Sequence, residues 1–180
     1  VGPEMRLILE KIAELMAEID ANDRVIEKLC RNVCITTHSN KSKMAHKHSL
    51  STSVRINHFC QCRQHNCGAD AKGNEAVCKY CFVNAINNAR PTVDMAMARN
   101  SFILWNVLIP SAVWRKVLKR SFDKWGEPDF RIQSLGDVRN VTECLNYINL
   151  MRAFPEITFT AWSKNWKLWL EAFEQVGKPD

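Results

Sequence analysis

No apolar run in this chain of 180 residues is long enough to cross a bilayer, and its start carries no charged-apolar-small signal pattern. A membrane partner is therefore not expected. The thiols are expected to stand reduced in a cytoplasm (that of the host cell, if the chain is phage-encoded), where metal can reach them. A secreted disulfide framework suits short, loop-rich chains, and the long helical patterns here argue against one. Compositional bias is lacking too: hydrophobic residues at 46% and charged ones at 24% are ordinary for a globular protein. The length allows one domain with a sizeable core, or one domain plus an extension. A net charge of +6 and a pI near 9.0 permit a nucleotide, nucleic-acid or phosphate partner without requiring one.

Cysteine is what the chain does have. Of its eight, Cys60, Cys62, Cys67, Cys78 and Cys81 fall in one stretch, with His58 and His65 among them. Thiolates are soft ligands, and four arranged tetrahedrally suit zinc or an iron–sulfur cluster. Cys78 and Cys81 lie within a turn of each other, and the upstream cysteines can fold back across a Gly/Asn/Asp/Lys loop. The expected ligands are Cys60, Cys67, Cys78 and Cys81, with Cys62 or His58 as substitutes. The plainer reading, reduced cysteines used as small core hydrophobes, suits Cys144 better than this polar stretch.

Residues 4–34 read as helix. Ile8, Ile12, Leu15, Ile19, Asn22, Ile26, Leu29 and Val33 recur at alternating four- and three-residue steps. The pattern fits a homo-oligomeric coiled coil with Asn22 fixing its register, a helical hairpin turning at 20–23, or an amphipathic helix lying on its own domain. Cys30 and Cys34 share one helical face, for which buried apolar use is the expectation. The organisation expected is an N-terminal helical extension or hairpin over 1–35 and a metal-binding domain over 36–180.

Residues 36–48 are polar and basic and read as a loop. A first strand is expected over 49–56, followed by the cysteine stretch. Helices are expected over 82–88, 93–108, 111–125, 141–154 and 168–176, and further strands over 130–135 and 157–162. Arg115, Lys116, Lys119 and Arg120 make a basic face, read as solvated before it is read as a nucleic-acid surface. Gly177-Lys178-Pro179-Asp180 reads as the lead-in to another strand. Strand alternating with helix at this spacing is a βαβ pattern and implies a parallel sheet.

In such a sheet, functional groups collect at the carboxyl ends of the strands. The cysteine stretch follows the first strand. Ser134, Gly136 and Asp137 follow the second, and Ser163, Lys164 and Asn165 the third. Asp137 and Lys164 are thus candidate catalytic residues, and Ser134 and Gly136 candidate cofactor contacts. The plain alternatives are a helix N-cap or turn residue for Asp137 and a solvated charge for Lys164.

Taken together, the pieces resemble a family of bacteriophage proteins known as the gene product 88 family, itself described as radical-SAM-like. The matching stretches are Asn40 to Met44, Ser49 to Thr52, Cys60, Cys67-Gly68-Ala69, Cys78 to Phe82, Arg90-Pro91 with Arg99-Asn100, Arg131-Ile132 with Ser134 to Asp137, and Phe159 to Lys164. They run over roughly residues 35–180 and leave the N-terminal helix outside. The resemblance implies an α/β fold, a partial (β/α) barrel with few parallel strands and many helices, a cysteine-bound centre and no settled activity. It points to an iron–sulfur cluster with S-adenosylmethionine through a C-x3-C-x2-C motif, and the chain departs there. Cys78 and Cys81 match the last two positions, but the first is Asn74, which offers no thiolate. Cys67 or Cys60 would have to substitute. A fourth cysteine would also fill the open iron, and closed four-ligand sites are structural rather than catalytic.

Overall fold

The computed structural model describes residues 6–7, 10–11, 14, 23–37, 48–64, 81–126 and 129–179. Within them the order is α1 (Asp23–Cys30), β1 (Thr36–Thr37), β2 (His48–Leu50), α2 (His58–Gln64), α3 (Phe82–Ala89), α4 (Pro91–Asn106), α5 (Ser111–Trp125), β3 (Asp129–Ile132), α6 (Val141–Ala153), β4 (Thr158–Ala161) and α7 (Trp166–Val176). This is a helix-rich α/β chain. Its strands form one sheet in the order β1-β2-β3-β4, with β1 antiparallel to β2 and the other two pairings parallel.

Local chemistry sets the boundaries. Pro91 takes the first position of α4, where its missing N–H costs no helical bond, so the chain breaks between α3 and α4. Gly126 ends α5 in the left-handed conformation (φ 61°) while its N–H donates to Phe122 O. Asn140 caps α6 by accepting from Glu143 N at 2.9 Å.

Side chains alternate across a strand, so the register assigns the two sheet faces. Leu50 pairs with Ile132 and faces the main core, with Phe130 two residues before Ile132. That core is filled by Leu29 of α1, Ile103 and Leu104 of α4, Trp114 and Leu118 of α5, and Tyr147 and Ile148 of α6. Each fully buried aliphatic side chain contributes about 1.5–3 kcal/mol. Phe122 touches Phe154 at a centroid distance of 4.3 Å, and His48 stacks on Trp125 at 4.0 Å. Ser49, Arg131 and Thr160 are neighbours in register on the opposite face.

Several boundaries differ from the sequence reading. The first strand stops at Leu50, because 51–53 leave the ladder to pair with side chains, as described below. Thr36–Thr37 forms the edge strand β1 where a loop is expected, and residues 38–47 lie outside the described ones. Residues 58–64 are helical rather than looped. The described strands form an open mixed sheet.

The N-terminal boundary at 35 falls inside one packed unit. Leu29, Cys30 and Val33 belong to the main core, so this end of the apolar stripe is occupied by the chain's own domain. Seam positions Ile8, Ile12, Leu15, Ile19 and Asn22 lie outside the described residues. The basic face of α5 is largely neutralised: Arg115 pairs with Glu156, Lys116 with Glu27 at 2.6 Å, and Lys119 with Asp123 at 2.7 Å. Hydrogen bonds from Lys116 and then Arg31 hold the Glu27 carboxyl below the usual carboxylate range.

Candidate functional site

The loops that follow β2, β3 and β4 meet at the carboxyl ends of the parallel strands. Residues 51–53 are buried, so their backbone groups need partners away from water. Asn100 of α4 donates to Ser51 O at 3.0 Å, Ser101 Oγ accepts from Ser53 N at 2.8 Å, and Gln133 Oε1 accepts from Thr52 N at 3.2 Å. Ser51 Oγ accepts from Leu135 N and stands 3.1 Å from Ser134 Oγ. The second loop thus closes onto the first. Its backbone is special at two places: Gln133 has φ 55°, and Gly136 has φ 107°. A Cβ on Gly136 would lie 2.8 Å from Thr52 O, so only glycine fits this approach.

Asp137 ties the second loop to the third. One carboxylate oxygen accepts from Val138 N at 2.8 Å and Ser163 Oγ at 2.5 Å, and the other accepts from Lys164 N at 2.7 Å. Its carbonyl accepts from Asn57 Nδ2 at 2.7 Å, while Asn57 Oδ1 caps α2 by accepting from Phe59 N. Asp137 is therefore a clamp between loops. The helix-cap alternative fails because Asn140 holds that position, and both carboxylate oxygens are already engaged.

Behind the clamp lies a buried polar network that the sequence reading missed. Glu143 is fully buried. One oxygen accepts from Thr52 Oγ1 (2.9 Å), Gln133 Nε2 (2.5 Å) and Tyr147 OH (3.1 Å), and the other from Trp105 Nε1 (2.7 Å) and Arg139 N (2.8 Å). Burial pushes its carboxyl up to about 7, against the opposing pull of the donors, Arg139 N–H first. Tyr147 is also pushed up, by burial and then by Glu143. This one side chain joins both strand-end loops to α4 and α6.

In front of the clamp is a cleft of about 340 Å³. Among its lining residues are the sequence-predicted Cys60, Cys81, Ser134, Gly136, Asp137 and Lys164. The helix α2 presents Phe59, Cys60, Arg63 and Gln64 to it, and Gln64 Oε1 accepts from Asn84 Nδ2 of α3 at 2.8 Å. Cys60 and Cys81 are half-buried. Cys67 and Cys78, the other two predicted ligands, lie outside the described residues, as does His65. Cys62 is disulfide-bonded, which removes it as a substitute thiolate and departs from the expectation of fully reduced cysteines. His58 is exposed at the start of α2 and does not line the cleft. Among the described residues no three His, Cys, Asp or Glu side chains gather as a metal-binding group.

The remaining cysteines stand apart from the cleft. Cys30 and Cys144 are core residues, and burial pushes the Cys30 thiol up to about 12 and that of Cys144 further. Cys34 is held through its backbone, its N–H donating to Asn100 Oδ1 at 2.8 Å. Sequence reasoning also missed the cleft's Arg63, Arg131, Phe82 and Trp162. Phe82, Arg131 and Trp162 lie in the stretches that carry the family resemblance, and Trp162 is also an aromatic residue directly beyond a strand end.

None of the helices among the described residues is long and apolar enough to cross a membrane. No curated protein matches the chain. No solved structure matches it either. The family model for Gene product 88 matches residues 10–180, reaching well into the N-terminal stretch that the resemblance left out. On that match, which spans most of its length, the chain belongs to the Gene product 88 family.

Proposed function

We propose that the protein is a phage-type ligand-binding protein of the host cytoplasm, with a radical-SAM-like, partial-barrel arrangement of its parallel strands. Its cleft carries a zinc or iron–sulfur centre bound, once the Cys62 disulfide is reduced, by Cys60, Cys67, Cys78 and Cys81. The observation that carries this reading is that Cys60 and Cys81 share one cleft with Ser134, Gly136, Asp137 and Lys164. Two soft donors from separate segments of the chain on one wall suit a thiolate-bound metal. When bound, such a centre supplies cross-linking of α2 to the start of α3, which couples metal binding to folding. A structural role is favoured over S-adenosylmethionine chemistry, because Asn74 replaces the first motif thiolate and four cysteines leave no open ligand position.

Elemental analysis of anaerobically purified protein tests the reading. About one metal centre per chain is expected, brown if iron–sulfur and colourless if zinc, and Cys81→Ser should lose it with a loss of thermal stability. Protein containing neither iron nor zinc would overturn the proposal. A non-enzymatic zinc module and an iron–sulfur protein are separated by the same measurement. Formation of 5′-deoxyadenosine from S-adenosylmethionine under reducing conditions would refute the structural role.

A further inference from the structure

We infer that the cleft takes a nucleoside phosphate, its anionic group held among Arg63, Arg131 and Lys164 and its base laid on Trp162 and Phe82. The inference rests on the cleft's being the ligand site proposed above. Among the described residues Arg63, Arg131 and Lys164 line it, and the one carboxylate among them, that of Asp137, is spent on the Ser163 hydroxyl and two backbone N–H groups. Arg131 stands out. Its Nε is buried without a hydrogen-bond partner. Beside it in register, Ser49 buries a hydroxyl that also has no partner. Buried polar atoms in a native fold are nearly always satisfied, so an orphaned Arg131 facing a cleft calls for an acceptor there. Guanidinium favours planar, multi-oxygen anions such as phosphate.

The aromatic half of the argument is independent. Trp162 is 77% exposed and Phe82 63%, and both line this same cleft, contributed by different segments of the chain. Large aromatic rings are left in water at a cost, and exposed rings beside cations are how proteins stack bases next to phosphates. A simple carboxylic acid would balance one cation and use neither ring. A mononucleotide matches the unpartnered Arg131 Nε, the rings and a volume of about 340 Å³.

Calorimetric titration of the full chain tests this with AMP, ADP, adenosine, inorganic phosphate and a short single-stranded oligonucleotide. The expected order is AMP or ADP tighter than adenosine, and tighter than phosphate. Trp162→Ala, at an exposed position that leaves the fold intact, should weaken AMP by roughly 5- to 150-fold while leaving inorganic phosphate unchanged. Arg131→Gln should weaken AMP by roughly 10-fold or more and leave adenosine unchanged. Adenosine binding as well as AMP, variants binding AMP like the wild type, or no binding of any nucleotide would each overturn the inference. An oligonucleotide binding tighter than AMP through the same residues would overturn it in favour of a single strand. Metal content, measured on the same preparations, keeps the two proposals apart. Metal-free protein that binds AMP refutes the metal centre alone, and metal-loaded protein that ignores nucleotides refutes the ligand class alone.

Discussion

Replacing Glu143 by Gln probes the network behind the cleft, and the outcome has a sign that depends on pH. The side chain takes five donors on two oxygens. The Trp105 indole and Arg139 backbone N–H groups cannot reverse, so the glutamine must keep its carbonyl on their side. Its amide then faces the Thr52 and Tyr147 hydroxyls, which can turn to accept, and Gln133 Nε2, which cannot. One buried donor clash remains, worth about 1–3 kcal/mol against a protonated Glu143. That is the cost expected at pH 5.

Ionisation acts in the opposite direction. Folded Glu143 titrates near 7, whereas an unfolded glutamate titrates at about 4.3. Across that window the folded state binds the extra proton, so the wild type loses stability as pH rises. At about 1.4 kcal/mol per unit the full loss is about 4 kcal/mol. Glu143→Gln has no such group, and other titrations cancel in the difference. Urea unfolding of both proteins by tryptophan fluorescence from pH 5 to pH 8 should show the gap closing, with the variant as stable as the wild type or more so at pH 8. A gap that is constant with pH, or that widens, would refute both the raised carboxyl and the network's accounting.

Two further perturbations address the loops in front of the network. Gly136→Ala puts a Cβ 2.8 Å from Thr52 O at φ 107°, and a loss of about 2–4 kcal/mol in chemical denaturation is expected. Asp137→Asn leaves an N–H facing N–H at Lys164 or Val138, so a loss of about 1–3 kcal/mol is expected together with faster hydrogen exchange at the Lys164 amide, whereas Ser163→Ala should cost only about 1 kcal/mol.

Much of this arrangement was legible in the sequence, for a reason that explains the misses. Periodicity marks α4, α5 and α6, and Pro91, Pro110 and Gly126 mark where helices stop or start. The parallel sheet follows from strand-helix alternation, and strand ends then locate Ser134, Asp137 and Lys164 without any knowledge of contacts. Roles set by contacts were not legible. Glu143 follows Asn140 by three residues, which reads as a capping box at an exposed helix start. It turns inward only because Thr52, Gln133 and Tyr147 are there to receive it, and they come from three separate segments. Ser49 to Ile56 alternates like a strand, yet Ser51, Thr52 and Ser53 serve as a buried connector bound by side chains. Arg131 lies on the face of β3 opposite Phe130 and Ile132, and that face meets the cleft.

The position of Asp137 decides what chemistry the cleft can perform. A carboxylate with a free lone pair beside a ligand could take a proton. This one gives its two oxygens to Val138, Ser163 and Lys164, and moving a proton onto it would break the bonds that shape the third loop. Its influence on a ligand therefore runs through where it holds Lys164 and Ser163. Glu143 has a carboxyl near 7, suited in principle to proton transfer, but it is fully buried and does not line the cleft. Among the described residues the cleft is lined by Arg63, Arg131 and Lys164, by the open rings of Phe82 and Trp162, and by Cys60 and Cys81. Cations and rings bind and orient; thiols hold metal. On the two proposals above, a site composed this way would grip an anionic aromatic molecule beside a thiolate-bound centre.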